Sequence, residues 1–137
     1  MKDVKLEFST TEMQEDINIT VEDIKTGVSK MANWKAAGPD LVQGFWFKKL
    51  TGLHSRLQDC LQGSMCQGNV PGWMVRGRTV LIQKDPAKGA QASNYRPITC
   101  LPMMWKLLTG IVGEKLYSHL ERSGPLADER KGCRKGP

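Results

Sequence analysis

The sequence has no long apolar run. No stretch approaches the ~18 consecutive apolar residues of a membrane-spanning helix, so no span is expected. Its four cysteines, Cys60, Cys66, Cys100 and Cys133, show no CxxC spacing, and His54 and His119 do not cluster with them. A zinc site is therefore not expected, and the thiols should be free and reduced. Met1 to Ser9 is charged throughout, so there is no signal-peptide pattern. Neither an internal repeat nor a low-complexity segment is visible. These absences make an intracellular protein the default expectation, with cytoplasm and nucleus left open.

What is present is a modest core and an uneven charge. At 137 residues, of which 39% are hydrophobic, the chain should form one domain and should not be wholly disordered. Net charge is +6. Residues 1–72 carry 8 Lys+Arg against 9 Asp+Glu, and residues 73–137 carry 12 against 5. The acidic-to-basic split points to a polyanion partner for the second half. A basic surface kept for solubility fits the same numbers.

Residues 1–18 lack apolar periodicity and carry Asp3, Glu7, Glu12, Glu15 and Asp16, which suggests a flexible acidic lead-in. Thr20 with Asp23 three residues on resembles a capping box. Val21, Ile24, Val28 and Met31 then form one apolar helical face, ending near Asn33. Gly38-Pro39-Asp40 is turn chemistry. The spacing predicts a second helix over 42–50, with Phe45, Trp46 and Phe47 as the most buried piece of the first half. Such aromatics also fit base stacking in a single-strand binder. A third helix is expected over 53–65, where Leu53, Leu57, Leu61 and Met65 recur every four residues.

The stretch from Arg76 onward organises the rest. Thr79-Val80-Leu81-Ile82 and Tyr95 to Leu101 are strand-like, and the polar loop between them holds Pro86 and Gly89. Two such runs around a turn-rich loop predict a β-hairpin. Arg76, Arg78, Lys84 and Arg96 flank or occupy it. Cations so placed could grip phosphate, or could simply be solvated. Pro102 opens a last helix, whose stripe Met104, Leu108, Val112, Leu116 and Leu120 needs a partner layer. Gly124-Pro125 should end it. The tail, with Arg130, Lys131, Arg134 and Lys135, fits a nucleic-acid clamp or a frayed charged terminus. The fold class that follows is α+β, mainly α-helical with one β-hairpin.

Three ordered stretches carry a resemblance. GRTVLIQK followed by NYRPITCLP, NWKAAGPDLVQGFWFKKL from Asn33, and LADERKGCRKG from Leu126 together resemble the N-terminal fingers portion of reverse transcriptases from non-LTR (LINE-type) retrotransposons. The matches run from about residue 20 to the last residue. The resemblance implies that 19–137 form a partial reverse transcriptase domain, with the fingers present and the palm absent. It implies that Lys84 and Arg96 contact the triphosphate of an incoming deoxynucleotide. It also implies that Arg134 lies near bound RNA or DNA; on charge and position alone, Arg76, Arg78, Arg130, Lys131 and Lys135 are further candidate nucleic-acid contacts.

Departures from the family pattern accompany this. Leu41 stands where the family's GPDG has its last glycine, at a cost of about 1 kcal/mol or more if that position needs a positive φ. Ala37 and Gln83 each stand where a proline is usual. The family holds Mg2+ between palm aspartates, whereas this sequence contains no Asp-Asp pair. The expectation is thus a fragment of an RNA-directed DNA polymerase, with no catalytic residue and no metal or other cofactor of its own, inactive alone. The alternatives are a non-catalytic basic nucleic-acid-binding module and a decayed remnant without function. If the chain is such a fragment, self-association through the apolar face of the last helix is expected, whereas a complete module should be monomeric.

Overall fold

The computed structural model describes residues 17–123. Arg130, Lys131, Arg134 and Lys135, and the expected stop at Gly124-Pro125, lie outside them, as does most of the acidic lead-in.

Helix α1 (Val21–Lys30) starts where the sequence signals it. The Asp23 N–H donates to Thr20 Oγ1 at 3.2 Å, and the Thr20 N–H donates to Asp23 Oδ2 at 2.8 Å. Two donors that the first turn cannot pair internally are thereby satisfied. Glu22 and Asp23 sit at the positive end of the helix dipole and Lys30 at the negative end. The face Ile24–Val28 is buried.

That face meets two longer helices, α3 (His54–Gln67) and α5 (Met103–Ser123). The core joins Ile19, Ile24, Val28, Leu61, Met74, Met104, Leu107, Leu108 and Ile111. Full burial of side chains such as Ile24 and Leu61 contributes about 2 kcal/mol each relative to exposure. The segment before α1 is tied to α3 by amides. The Ile19 N–H donates to Gln62 Oε1 at 2.7 Å, and Gln58 Nε2 donates to the Ile19 carbonyl at 3.0 Å.

Two shorter helices complete the α layer, α2 (Gly44–Lys49) and α4 (Gly72–Val75). The four residues of α4 were not expected; one turn is too short to show periodicity, and it seats Met74 in the core.

Strands β1 (Arg78–Gln83) and β2 (Tyr95–Cys100) pair antiparallel in a two-stranded sheet. The register sets Val80 opposite Ile98, Ile82 opposite Arg96 and Gln83 opposite Tyr95. The chain is therefore α+β, mainly helical, with one hairpin. No described helix is long and apolar enough to cross a membrane.

Two expectations need correcting. The aromatic helix α2 is not a buried piece: only Gly44 is buried in it, and Trp46 is 50% exposed. The stripe on α5 is not bare along its length either. Met104, Leu108 and Ile111 are covered by the chain's own core, and of the larger apolar side chains on this helix Leu116 is the exposed one. The reason in both cases is which helices meet: α1 lies on the first half of α5, and nothing described covers the outer face of α2.

Candidate functional site

The hairpin projects from the helical layer. Every β1 residue is exposed, and Cys100 is the only buried residue of β2. Thr79 and Thr99 bond across the strands through their hydroxyls at 2.9 Å.

Alternation along paired strands fixes which side chains share a face. Arg78, Val80, Ile82, Arg96, Ile98 and Cys100 fall on one face, and Thr79, Leu81, Gln83, Tyr95, Pro97 and Thr99 on the other. The Lys84 N–H donates to the Asn94 carbonyl at 2.7 Å, which carries the ladder one rung beyond Gln83. Lys84 thus keeps the parity of Ile82, and lies diagonally across from Arg96 on the same face. Cross-strand diagonal neighbours are within reach of long side chains. The register thus makes the two positions diagonal neighbours, while the Lys84 ammonium itself is turned to the Ser93 carbonyl.

The loop that carries Lys84 is built around one buried polar side chain. Asn94 Nδ2 donates to the Asp85 carbonyl at 2.7 Å and to the Gly89 carbonyl at 2.9 Å, and Asn94 Oδ1 accepts from the Asp85 N–H at 3.1 Å. Gln83 Nε2 also donates to the Gly89 carbonyl, at 2.9 Å. Asp85 closes its own turn by accepting from the Ala87 N–H at 3.0 Å. The sequence carries no signal for the role of Asn94 beyond the general use of Asn in turns.

Lys84 Nζ donates to the Ser93 carbonyl at 2.8 Å. An ammonium has three donors, so two remain. Arg76, Arg78 and Arg96 are exposed and make no ion pair among the described residues. Arg76 follows α4 directly, and Arg78 opens β1 opposite Cys100. This face can supply guanidinium and ammonium donors to an anion with several oxygens.

A second feature lies elsewhere. A cleft of about 390 Å³ runs between α1 and α5, with Met31, Leu107 and Ile111 among its apolar lining and Lys35 and Lys106 among its cations. No hairpin residue lines it. Three of its lysines are already engaged, Lys115 with Asp23 at 2.8 Å, Lys30 with Glu114 at 3.7 Å, and Lys106, whose Nζ donates to the Ala36 carbonyl at 3.3 Å. Partial burial pushes the Asp23 carboxyl up. The bonds from Lys115 and Thr20, with the Lys115 charge, outweigh that and leave Asp23 below the ordinary carboxylate range.

The described residues do not form a divalent-metal site of the kind palm aspartates provide. Among the described residues no three His, Cys, Asp or Glu side chains come together. Asp40 lies in a turn, Asp59 on α3 and Asp85 in the hairpin loop.

No protein-family model matches the chain, and no curated protein matches it.

Proposed function

We propose that this chain is the fingers portion of an RNA-directed DNA polymerase of the non-LTR retrotransposon type, and that Lys84 and Arg96 hold the triphosphate of an incoming deoxynucleotide. The observation that carries the proposal is the hairpin register. It sets Lys84, on a loop held in shape by Asn94, diagonally across from Arg96 of β2 on one exposed face. The backbone at Leu41 supports the same reading. Its φ is 57°, in the left-handed region, at the position where the family's GPDG has glycine.

Charge attraction and hydrogen-bond geometry are sufficient for such a grip. Transfer of a nucleotide requires more, a divalent metal between carboxylates beside the primer end. The role supported here is binding and positioning. A second reading, a basic module that holds RNA or DNA without chemistry, is favoured by the charge of residues 73–137, with 12 Lys+Arg against 5 Asp+Glu.

Photolabelling with an azido-dATP, followed by peptide mapping, distinguishes the sites. Label on residues 84–96 is the expected result. Label confined to Lys35 and Lys106 in the α1–α5 cleft would overturn the assignment.

A further inference from the structure

The aromatic residues around α2 form an open stack. Trp34, in the turn after α1, lies over Phe45 with ring centroids 4.9 Å apart and planes 16° from parallel. Trp46 meets Phe45 edge-on at 5.3 Å and 80°. Trp34 is 67% exposed and Trp46 50%.

The backbone sets this arrangement. The Phe45 N–H donates to the Asn33 carbonyl at 3.1 Å, which places Phe45 beside the residue that follows Asn33, Trp34. Gly44 makes the approach possible: a Cβ there would stand 2.6 Å from the Ala32 carbonyl oxygen, a backbone atom that cannot step aside.

The surroundings are cationic. Lys49 Nζ lies 5.8 Å from the Phe45 ring centroid. Lys48 and Lys49 close α2, and Lys35 follows Trp34. Between residues 34 and 49 the only acidic side chain is Asp40, whose Oδ1 is turned to the Val42 N–H at 3.3 Å.

We infer that Trp34, Phe45 and Trp46 form a platform on which an unpaired base of single-stranded nucleic acid stacks, with Lys35, Lys48 and Lys49 meeting its phosphates. A large aromatic surface left in water gives up the burial that usually fixes such rings in a core. A flat ring face beside cations suits a nucleobase and its phosphate, because every base has a π-face and stacking tolerates any sequence. Charge complementarity favours this occupant over a protein partner. The platform is separate from the hairpin and stands on its own observation.

The test uses the whole chain and two fluorescein-labelled probes of equal length, an oligothymidylate and an abasic oligodeoxyribose phosphate, followed by anisotropy. The oligothymidylate should bind about tenfold more tightly, a difference of the size expected for stacking of one base. Trp34→Ala should remove the difference and Trp34→Phe should retain most of it. Circular dichroism checks the fold, and Trp46→Ala provides a second exposed truncation. Equal affinity for the two probes would overturn the platform and leave the stack as a surface for protein contact. A wild-type chain with no base preference but with dTTP binding sinks the platform alone. Base preference without dTTP binding supports the platform and counts against the hairpin grip.

Discussion

The Lys84 ammonium donates to the Ser93 carbonyl at 2.8 Å, across the neck of the loop whose backbone Asn94 holds. A lysine free in water would sample many rotamers, and ordering it costs up to about 2 kcal/mol. Here part of that ordering precedes any ligand. Asn94→Ala should undo it. Hydrogen exchange of the Lys84 and Asp85 amides should accelerate, while core amides of α1 and α3 keep their protection. Unchanged exchange at Asp85 would show that Asn94 does not hold the loop.

Leu41 carries a φ of 57° and is 72% exposed, so it bears left-handed strain with little burial to offset it. Leu41→Gly should stabilise the chain by about 0.5–1 kcal/mol. Relief of the strain exceeds the extra flexibility that glycine gives the unfolded state. Urea unfolding measures this as a rise in midpoint at constant slope. A lower midpoint would mean that the Leu41 side chain contributes packing that outweighs its backbone cost.

The capping box and its lysine make a pH-dependent contribution. The folded-state pKa of Asp23 is depressed by Lys115 and Thr20, with burial opposing. The contribution is therefore fully present above the ordinary carboxylate pKa. It is lost as pH falls through the lower folded value. Wild type should lose stability faster than Asp23→Asn on the acid side and hold an advantage near neutrality. Thr20→Ala should cost about 1 kcal/mol through the lost cap. Parallel acid limbs for wild type and Asp23→Asn would contradict the assignment.

How much of this was legible in the sequence depended on the range of the interaction. Thr20 and Asp23 are three residues apart, and their capping box was readable because nothing distant is needed to form it. The hairpin was readable because β-branched runs flank a turn-rich loop. The cost at Leu41 was legible only through the resemblance, which puts a glycine at that position, and only on condition of a positive φ; the φ of 57° meets that condition. Exposure was not readable. Phe45, Trp46 and Phe47 look like core by composition, and only the absence of a described helix over α2 leaves Trp46 half in water. The burial of Met104 and Leu108 depended likewise on α1 lying against α5. Asn94 gave no sign of its role, because its partners Asp85 and Gly89 are chosen by the loop's path.

The exposed apolar surface lies on the hairpin more than on α5. Leu81 is 65% exposed, Ile82 50%, Ile98 44% and Val80 41%. A two-stranded sheet with no further strand on either edge among the described residues is a template for pairing. The chain should self-associate and bind an apolar dye, and Leu81→Lys with Ile82→Lys should reduce both more than Leu116→Lys does. Sedimentation velocity gives the answer. A wild-type monomer that binds no dye would contradict this placement of the sticky surface.

The central claim is that Lys84 and Arg96 act together on a triphosphate. Isothermal titration of the whole chain with dTTP and with dTMP, for wild type and Lys84→Ala/Arg96→Ala, tests it most directly. Each close contact between a cation and phosphate is worth about 1.5–3 kcal/mol, so losing both should weaken dTTP at least tenfold. The smaller phosphate group of dTMP should bind weakly to either protein, and no nucleotide should be turned over. Equal dTTP affinity in wild type and double variant would contradict the account.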